Sequence, residues 1–262
     1  MAGNGSIVVL CKGLSESNDR QEAYVKTLES AGYTCECLPT LRFEFVNISE
    51  LQTCLSIPDK YTGLILTSAR TVEAIAMAVK DNTNILHHWK QMPAYCVGPA
   101  TESVARTQLD LQRCIGSQSG NSRELAERIV LDVNADSKPL LYPCSEIARE
   151  TVARVLNDRG MVVEKITVYR TLESESLKRD LLEILKKSPS IFVFFSPSTV
   201  EHVATQLKRN SYNIKDVKAV AIGPVTRDAL ISLDFNVHAT ADKPEPAALM
   251  RVIVTADKYT EK

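Results

Sequence analysis

The sequence predicts an α/β protein made of two doubly wound parallel-sheet domains of similar topology. Three observations carry this reading. Short apolar runs alternate with stretches of helical period along the whole chain. Several of the runs, such as residues 191–195 and 217–222, are almost continuously apolar, as in parallel strands covered on both faces. The chain also echoes itself. LTSARTVEAIAMAV at residues 66–79 returns as FFSPSTVEHVATQL at 194–207, and YCVGPATESVA at 95–105 returns as VAIGPVTRDAL at 220–230. LESAGYTCECL at 28–38 reappears as LNDRGMVVEKI at 156–166. Self-similarity of this kind sets architecture before any single residue does.

Taken in order, residues 7–10 form the first apolar run, followed by a helix-period segment at 21–31 and a second strand at 34–38. Residues 39–57, with the aromatic pair Phe43 and Phe45, and residues 167–187 are candidate crossover regions. A strand at 63–66 precedes a helix at 71–80, where Val72, Ile75, Ala76 and Val79 fall at i, i+3, i+4 and i+7. Val200, Val203, Ala204 and Leu207 repeat that stripe, so both helices are expected to bury one side against a sheet. The polar turns SQSGNSRE (117–124) and ATADKPEP (239–246) each precede an amphipathic helix, at 125–131 and 247–254. Periodicity leaves open whether the first β-α-β unit packs with the half that follows it or with the later half, since both solutions bury the same faces.

Over 262 residues, 44% hydrophobic and 24% charged content suits ordinary globular protein with room for about two domains. Lys and Arg total 31 against 32 Asp and Glu, and no basic tract interleaves with aromatics, so nucleic acid is not an expected partner. Residues 1–5 lead directly into IVVLC without a signal-like or membrane-spanning pattern; no membrane contact and a cytosolic location are expected. Seven scattered cysteines match no zinc spacing and predict reduced, mostly buried thiols. Adjacent His87 and His88 diverge on a helix and cannot share a metal, and Cys35 and Cys37 lie on one side of a strand without a partner pair. No dinucleotide-binding or P-loop motif occurs, which leaves dinucleotide or nucleoside triphosphate binding unsupported, and a serine elbow is absent too. No heptad or long exposed apolar stripe stands out, and a monomer is expected.

Chemistry in doubly wound sheets sits beyond the carboxyl ends of strands, where helix N-termini present free backbone N–H groups. The echoed loops lie there. Thr67 and Ser68, and Ser196, Pro197 and Ser198, each follow an apolar strand and open a striped helix. Gly98, Pro99, Ala100 and Thr101, and Gly223, Pro224, Val225 and Thr226, do likewise, with the threonines expected near the mouth. Ser or Thr before a helix is ordinarily just a cap, but capping does not require Gly-Pro-x-Thr twice. Tyr169, in ITVYRT, reads either as a packing residue with a wet hydroxyl or as a phenol able to donate a proton to a departing hydroxyl.

Taken together, LPTLRFEF (38–45), GLILTSARTVEA (63–74), VGPAT (97–101), LLYPCSEIARE (140–150), ITVYRT (166–171), FFSPS (194–198) and AIGPVT (221–226) resemble the uroporphyrinogen-III synthases of the animal type, nearly end to end. One departure is Ala69, where Pro often follows the serine; Pro197 keeps it in the other copy. The resemblance implies a discontinuous first domain (1–38 and 172–262), a second domain (42–166), and two antiparallel connecting segments (39–41 and 167–171). Between the domains it implies a crevice that takes hydroxymethylbilane, a linear tetrapyrrole with eight carboxylates, and closes it to uroporphyrinogen III with loss of water and inversion of the last ring. It implies Thr67, Ser68, Arg70, Gly98, Pro99, Ala100 and Thr101 on one wall, Ser196, Ser198, Lys218 and Thr226 on the other, and Tyr169 as hydrogen-bond donor to the leaving hydroxyl. No cofactor is implied, and transient contact with neighbouring enzymes of the pathway is expected. A non-catalytic module that binds a polycarboxylate is the alternative; a nicotinamide oxidoreductase would need a Gly-rich first turn, and Leu10-Cys11-Lys12-Gly13 offers one glycine.

Overall fold

The computed structural model describes residues 5–13 and 19–258. The chain forms two compact units, Met1–Arg42 with Leu172–Lys262, and Phe43–Thr171. It opens with β1 (Ile7–Lys12), α1 (Asp19–Ser30) and β2 (Thr34–Pro39). Next come β3 (Leu41–Phe45), α2 (Ile48–Leu55), β4 (Gly63–Leu66), α3 (Ala69–Ala78), α4 (Leu86–Trp89), β5 (Ala94–Cys96), α5 (Gly98–Leu109) and β6 (Cys114–Ile115). These are followed by α6 (Ser122–Asp132), β7 (Leu140–Ser145), α7 (Thr151–Asn157) and β8 (Val163–Glu173). The last stretch is α8 (Leu177–Lys186), β9 (Ile191–Phe194), α9 (Pro197–Arg209), β10 (Lys218–Ala221), α10 (Pro224–Ser232), β11 (Asn236–Thr240) and α11 (Pro246–Lys258).

One sheet runs β11-β10-β9-β1-β2 and the other β3-β8-β7-β4-β5-β6. Strand β1 pairs in parallel with both β2 and β9, so the first β-α-β unit packs with the late half of the chain. Pairing thus decides what periodicity left open. Both sheets reverse direction once: in one the order turns between β9 and β1, in the other between β4 and β7. Matching β9, β10 and β11 to β4, β5 and β6, and β1 and β2 to β7 and β8, superposes the two connectivities, and the three sequence echoes fall on matched elements. The boundaries between units lie inside β3 and β8, which are neighbours in the six-stranded sheet.

Each sheet is covered on both faces because successive strand side chains point to opposite sides. Leu64 and Leu66 enter one core with Val72 and Ile75 of α3, while Ile65 between them joins Leu125 and Ile129 of α6. In the other sheet, Val9 and Cys11 meet Val200 and Val203 of α9, and Val8 and Leu10 meet Leu28 of α1 and Leu249 of α11. The two stripes predicted from sequence therefore do face their sheets. Full burial of each such side chain is worth about 1.5–3 kcal/mol.

The expectation of mostly buried thiols holds for four of the seven. Cys11, Cys54, Cys96 and Cys144 are buried, but Cys35 and Cys114 are only half covered and Cys37 is exposed. Cys35 and Cys37 sit on β2, an edge strand, where layers on the two faces close less completely. Trp89, the chain's one tryptophan, is fully buried and donates its indole N–H to the Leu55 carbonyl at 2.8 Å, which makes it a reporter of the second unit's core. Leu64→Ala should lower the urea midpoint followed by Trp89 fluorescence, corresponding to a loss of about 2–5 kcal/mol. An unchanged midpoint would show that Leu64 is not the core residue described.

Candidate active site

In a parallel sheet every strand-to-helix junction falls on one edge. In the second unit that edge gathers the loops after β4, β5 and β7, with Tyr169 on β8. The apolar run of β4 ends at Leu66, and the chain turns at Ser68, which is extended (φ −159°, ψ 156°) and caps α3 by accepting from Thr71 N–H at 3.3 Å. Ser196 repeats the conformation (φ −163°, ψ 161°) before α9 and accepts from Thr199 N–H at 3.4 Å. Ala69 at the first helical position in place of Pro therefore leaves the turn unchanged. Both serines are caps, as the plainest reading of the sequence has it. They also do more, since each hydroxyl meets a second one: Ser68 Oγ lies 3.2 Å from the Tyr169 phenol, and Ser196 Oγ lies 3.0 Å from Ser198 Oγ.

Tyr169 owes its position to an irregularity. Cys144 pairs with Thr167 but Ser145 pairs with Tyr169, so one residue of β8 is extra and the strand is bulged just before the phenol. Bulges re-aim side chains in this way. The ring packs against Phe43 edge to face, centroids 6.3 Å apart, and the Arg70 guanidinium lies 3.4 Å from the centre of the same Phe43 ring. The phenol of Tyr142 lies near Thr67, and burial pushes its pKa up to about 12. Thr67, Ser68, Arg70 and Tyr169 thus form one cluster, and Phe43 and Tyr142 are members that sequence reasoning missed. Phe43 was visible only as an aromatic in a crossover region, because a stacking partner far along the chain leaves no periodic trace.

The Gly-Pro helix starts differ from the serine ones. Neither α5 nor α10 has a side-chain cap, so the first N–H groups of each are left for solvent or an anion. Pro99 and Ala100 are exposed, whereas the Thr101 and Thr226 side chains are buried. The expectation that these two hydroxyls reach the mouth is corrected: at the third or fourth position of the helix the side chain turns inward to the sheet, and only the backbone remains available. The two glycines also differ. Gly98 has φ +75°, which glycine alone adopts without strain, while Gly223 is extended at −178°. By contrast, the start of α6 is already filled, since Glu124 bends back to accept from Gly120 N–H at 2.7 Å and Asn121 caps the helix.

Lys218 is also corrected. It is the first residue of β10, with Ala221 at the carboxyl end beside Phe194, which leads to Ser196. Three residues of strand separate Lys218 from that edge, roughly 10 Å, and it lines a small cavity of about 200 Å³ with Asp216 and Tyr212 at the amino edge instead. Strand direction, which the motif alone does not carry, decides this. A further set of shifted groups lies at the amino edge of the second unit. There, Lys60 holds the Glu164 carboxyl below its ordinary range, and Tyr61 donates to Glu164 at 2.9 Å while its burial pushes its own phenol far up. This is an anchoring cluster away from the helix starts. Among the described residues, no group of three or more His, Cys, Asp or Glu could hold a metal ion, and His87 and His88 are exposed with rings 6.0 Å apart.

The family model described as uroporphyrinogen-III synthase HemD matches residues 22–251. The chain belongs to this family. Uroporphyrinogen-III synthase of Schizosaccharomyces pombe is 30% identical over 244 residues, covering 90% of this chain and 93% of that protein. The Saccharomyces cerevisiae enzyme is 28% identical over 256 residues, covering 87% and 92%. Among solved structures, a mutant uroporphyrinogen III synthase of the extremely thermophilic bacterium Thermus thermophilus has a TM-score of 0.62 at 19% identity, covering 97% of this chain and all of that one. The Helicobacter pylori protein gives 0.61 at 18%, covering 95% and 99%. These structural likenesses speak for the shared two-domain α/β fold. The family's activity, a cyclising hydro-lyase step of porphyrin and heme biosynthesis, is the activity of this chain. No helix among the described residues is long and apolar enough to cross a membrane.

The contrast between the two glycines is open to measurement. Gly98→Ala should destabilise the fold by about 1–2 kcal/mol through the left-handed backbone alone, since nothing lies within 4 Å of where its Cβ would sit. Gly223→Ala should change stability by no more than about 0.5 kcal/mol. Equal urea midpoints for the two variants would contradict the backbone assignment.

Proposed function

We propose that the residues of this carboxyl-edge cluster bind hydroxymethylbilane and direct its closure to uroporphyrinogen III, with loss of water and inversion of the last ring. The observation that carries the reading is the Tyr169 phenol 3.2 Å from Ser68 Oγ, on the same edge of the sheet as the uncapped start of α5. Thr67, Ser68, Arg70, Gly98, Pro99, Ala100 and Thr101 of one unit, and Ser196, Ser198 and Thr226 of the other, are the proposed binding residues; Thr101 and Thr226 act through backbone N–H. Lys218 drops out of the set.

Physical chemistry favours such a division of labour. Eight carboxylates can be held by many helix-start N–H groups, each worth about 0.3–1 kcal/mol when exposed, so a net charge of −1 is no obstacle. Arg70 supplies the one guanidinium in the cluster. Tyr169 donates a hydrogen bond to the hydroxyl that departs, and Ser68 fixes the phenol. The carbon–oxygen bond breaks, the hydroxyl leaves as water with a proton that the pyrrole N–H of the same ring makes good, and the electron-rich substituted carbon of the last ring attacks the methylene carbon of the azafulvene left behind. The spiro intermediate so formed reopens and closes inverted. Because the linear substrate also closes unaided to the non-inverted isomer, the protein has to favour one closure over another. A hundredfold preference asks for about 2.7 kcal/mol between the two barriers. The seven free cysteines suit a reducing compartment, and we read the protein as a cytosolic monomer that meets neighbouring pathway enzymes transiently.

Purified protein incubated with freshly made hydroxymethylbilane, with the isomers separated by chromatography, should give predominantly the type III product. Type I product alone, at the rate of the blank, would refute the reading. Tyr169→Phe removes only the phenolic oxygen and should lower kcat by about a hundredfold with little change in KM. Full turnover in that variant would remove the acid role and leave the family assignment intact.

A further inference from the structure

We propose that Phe43 is a positioning residue, one that acts through Arg70 by holding its guanidinium in the orientation that receives a substrate carboxylate. The inference rests on the reading of Arg70 as a binding residue and adds to it a group to which the sequence motifs give no role. Arg70 lies on α3 and has four rotatable bonds, so an unrestrained guanidinium there would sweep a wide arc. Its Cζ instead lies 3.4 Å from the centre of the Phe43 ring, close enough for face-on stacking. A stacked guanidinium keeps its N–H donors at the periphery of the ring, free to form the paired hydrogen bonds that suit a carboxylate.

Phe43 is not simply a core residue. Phe45, two positions on along β3, packs on the main core of the unit together with Tyr169, but Phe43 is outside that packing. Its ring contacts are Arg70 on one hand and Tyr169, edge to face at 71°, on the other. One half-buried aromatic therefore touches both the cationic and the phenolic member of the cluster, and Tyr169 in turn reaches Ser68. Holding a charge in place by a ring leaves its hydrogen-bond donors to the substrate, which a carboxylate partner would not.

A double-mutant cycle with hydroxymethylbilane as substrate tests this, with circular dichroism and urea midpoints confirming that each variant is folded. Phe43→Leu should raise KM about tenfold with kcat changed less than about twofold, and Phe43→Trp, which restores the π face, should return KM to within about twofold of the starting protein. Arg70→Met should raise KM at least as much, and in that background Phe43→Leu should add less than about twofold. If Arg70→Met is impaired but Phe43→Leu is fully active, or costs the same in both backgrounds, the positioning role is overturned while the binding site stands. An Arg70→Met variant with unaltered KM would overturn the reading of Arg70, and the role of Phe43 with it.

Discussion

Parallel pairing is the constraint on which the rest of this molecule depends. When all the strands of a sheet point one way, every junction from strand to following helix falls on one edge, and so do the unsatisfied N–H groups of every helix start. A protein with almost no net charge can thereby concentrate hydrogen-bond donors and partial positive charge along one rim without a cluster of lysines. The reversal of strand order between β4 and β7, and between β9 and β1, then opens a gap on that rim in each sheet, where helices leave from opposite faces.

What the rim can do depends on how each helix start is finished. Serine starts are satisfied internally and rigid, with Ser68 and Ser196 adopting almost the same backbone angles despite Ala69 in one and Pro197 in the other. The Gly-Pro starts are left open, because proline has no N–H to satisfy and neither Val97 before α5 nor Gly223 before α10 has a side chain that can cap. The start of α6 is closed by Glu124. Three finishes for otherwise similar junctions separate scaffold from site more sharply than residue type does. A buried threonine hydroxyl, such as those of Thr101 and Thr226, belongs to the scaffold, and only the backbone of such a residue is left for the proposed site.

Within the second unit, a bulge in β8, an edge-to-face aromatic pair and a stacked guanidinium converge on the phenol of Tyr169. None of these contacts is strong alone; an aromatic pair is worth about 0.5–1.5 kcal/mol. In the proposed site their value lies in restricting geometry, since a flexible substrate with several ways to close is governed by small differences between barriers. At the opposite edge, Lys60 lowers the Glu164 carboxyl and burial raises the Tyr61 phenol, an anchoring cluster apart from the helix starts.

The sequence by itself determined the fold class, the duplication and the strand ends at which the echoed loops lie. Apolar runs and helical stripes report local burial, and the echoes at 66–79 and 194–207 align the two copies without reference to coordinates. Ser68, Ser196 and the Gly-Pro turns were legible for the same reason: their roles are set within a few residues. Tertiary structure alone decided that β1 joins β9, because either pairing buries the same faces and periodicity is blind to partner choice. It also decided that Lys218 stands at the wrong end of its strand, that Thr101 and Thr226 turn inward, and that Arg70 rests on Phe43. Each of these depends on strand direction or on contact between distant segments, and the spacing of residues within a single segment encodes neither.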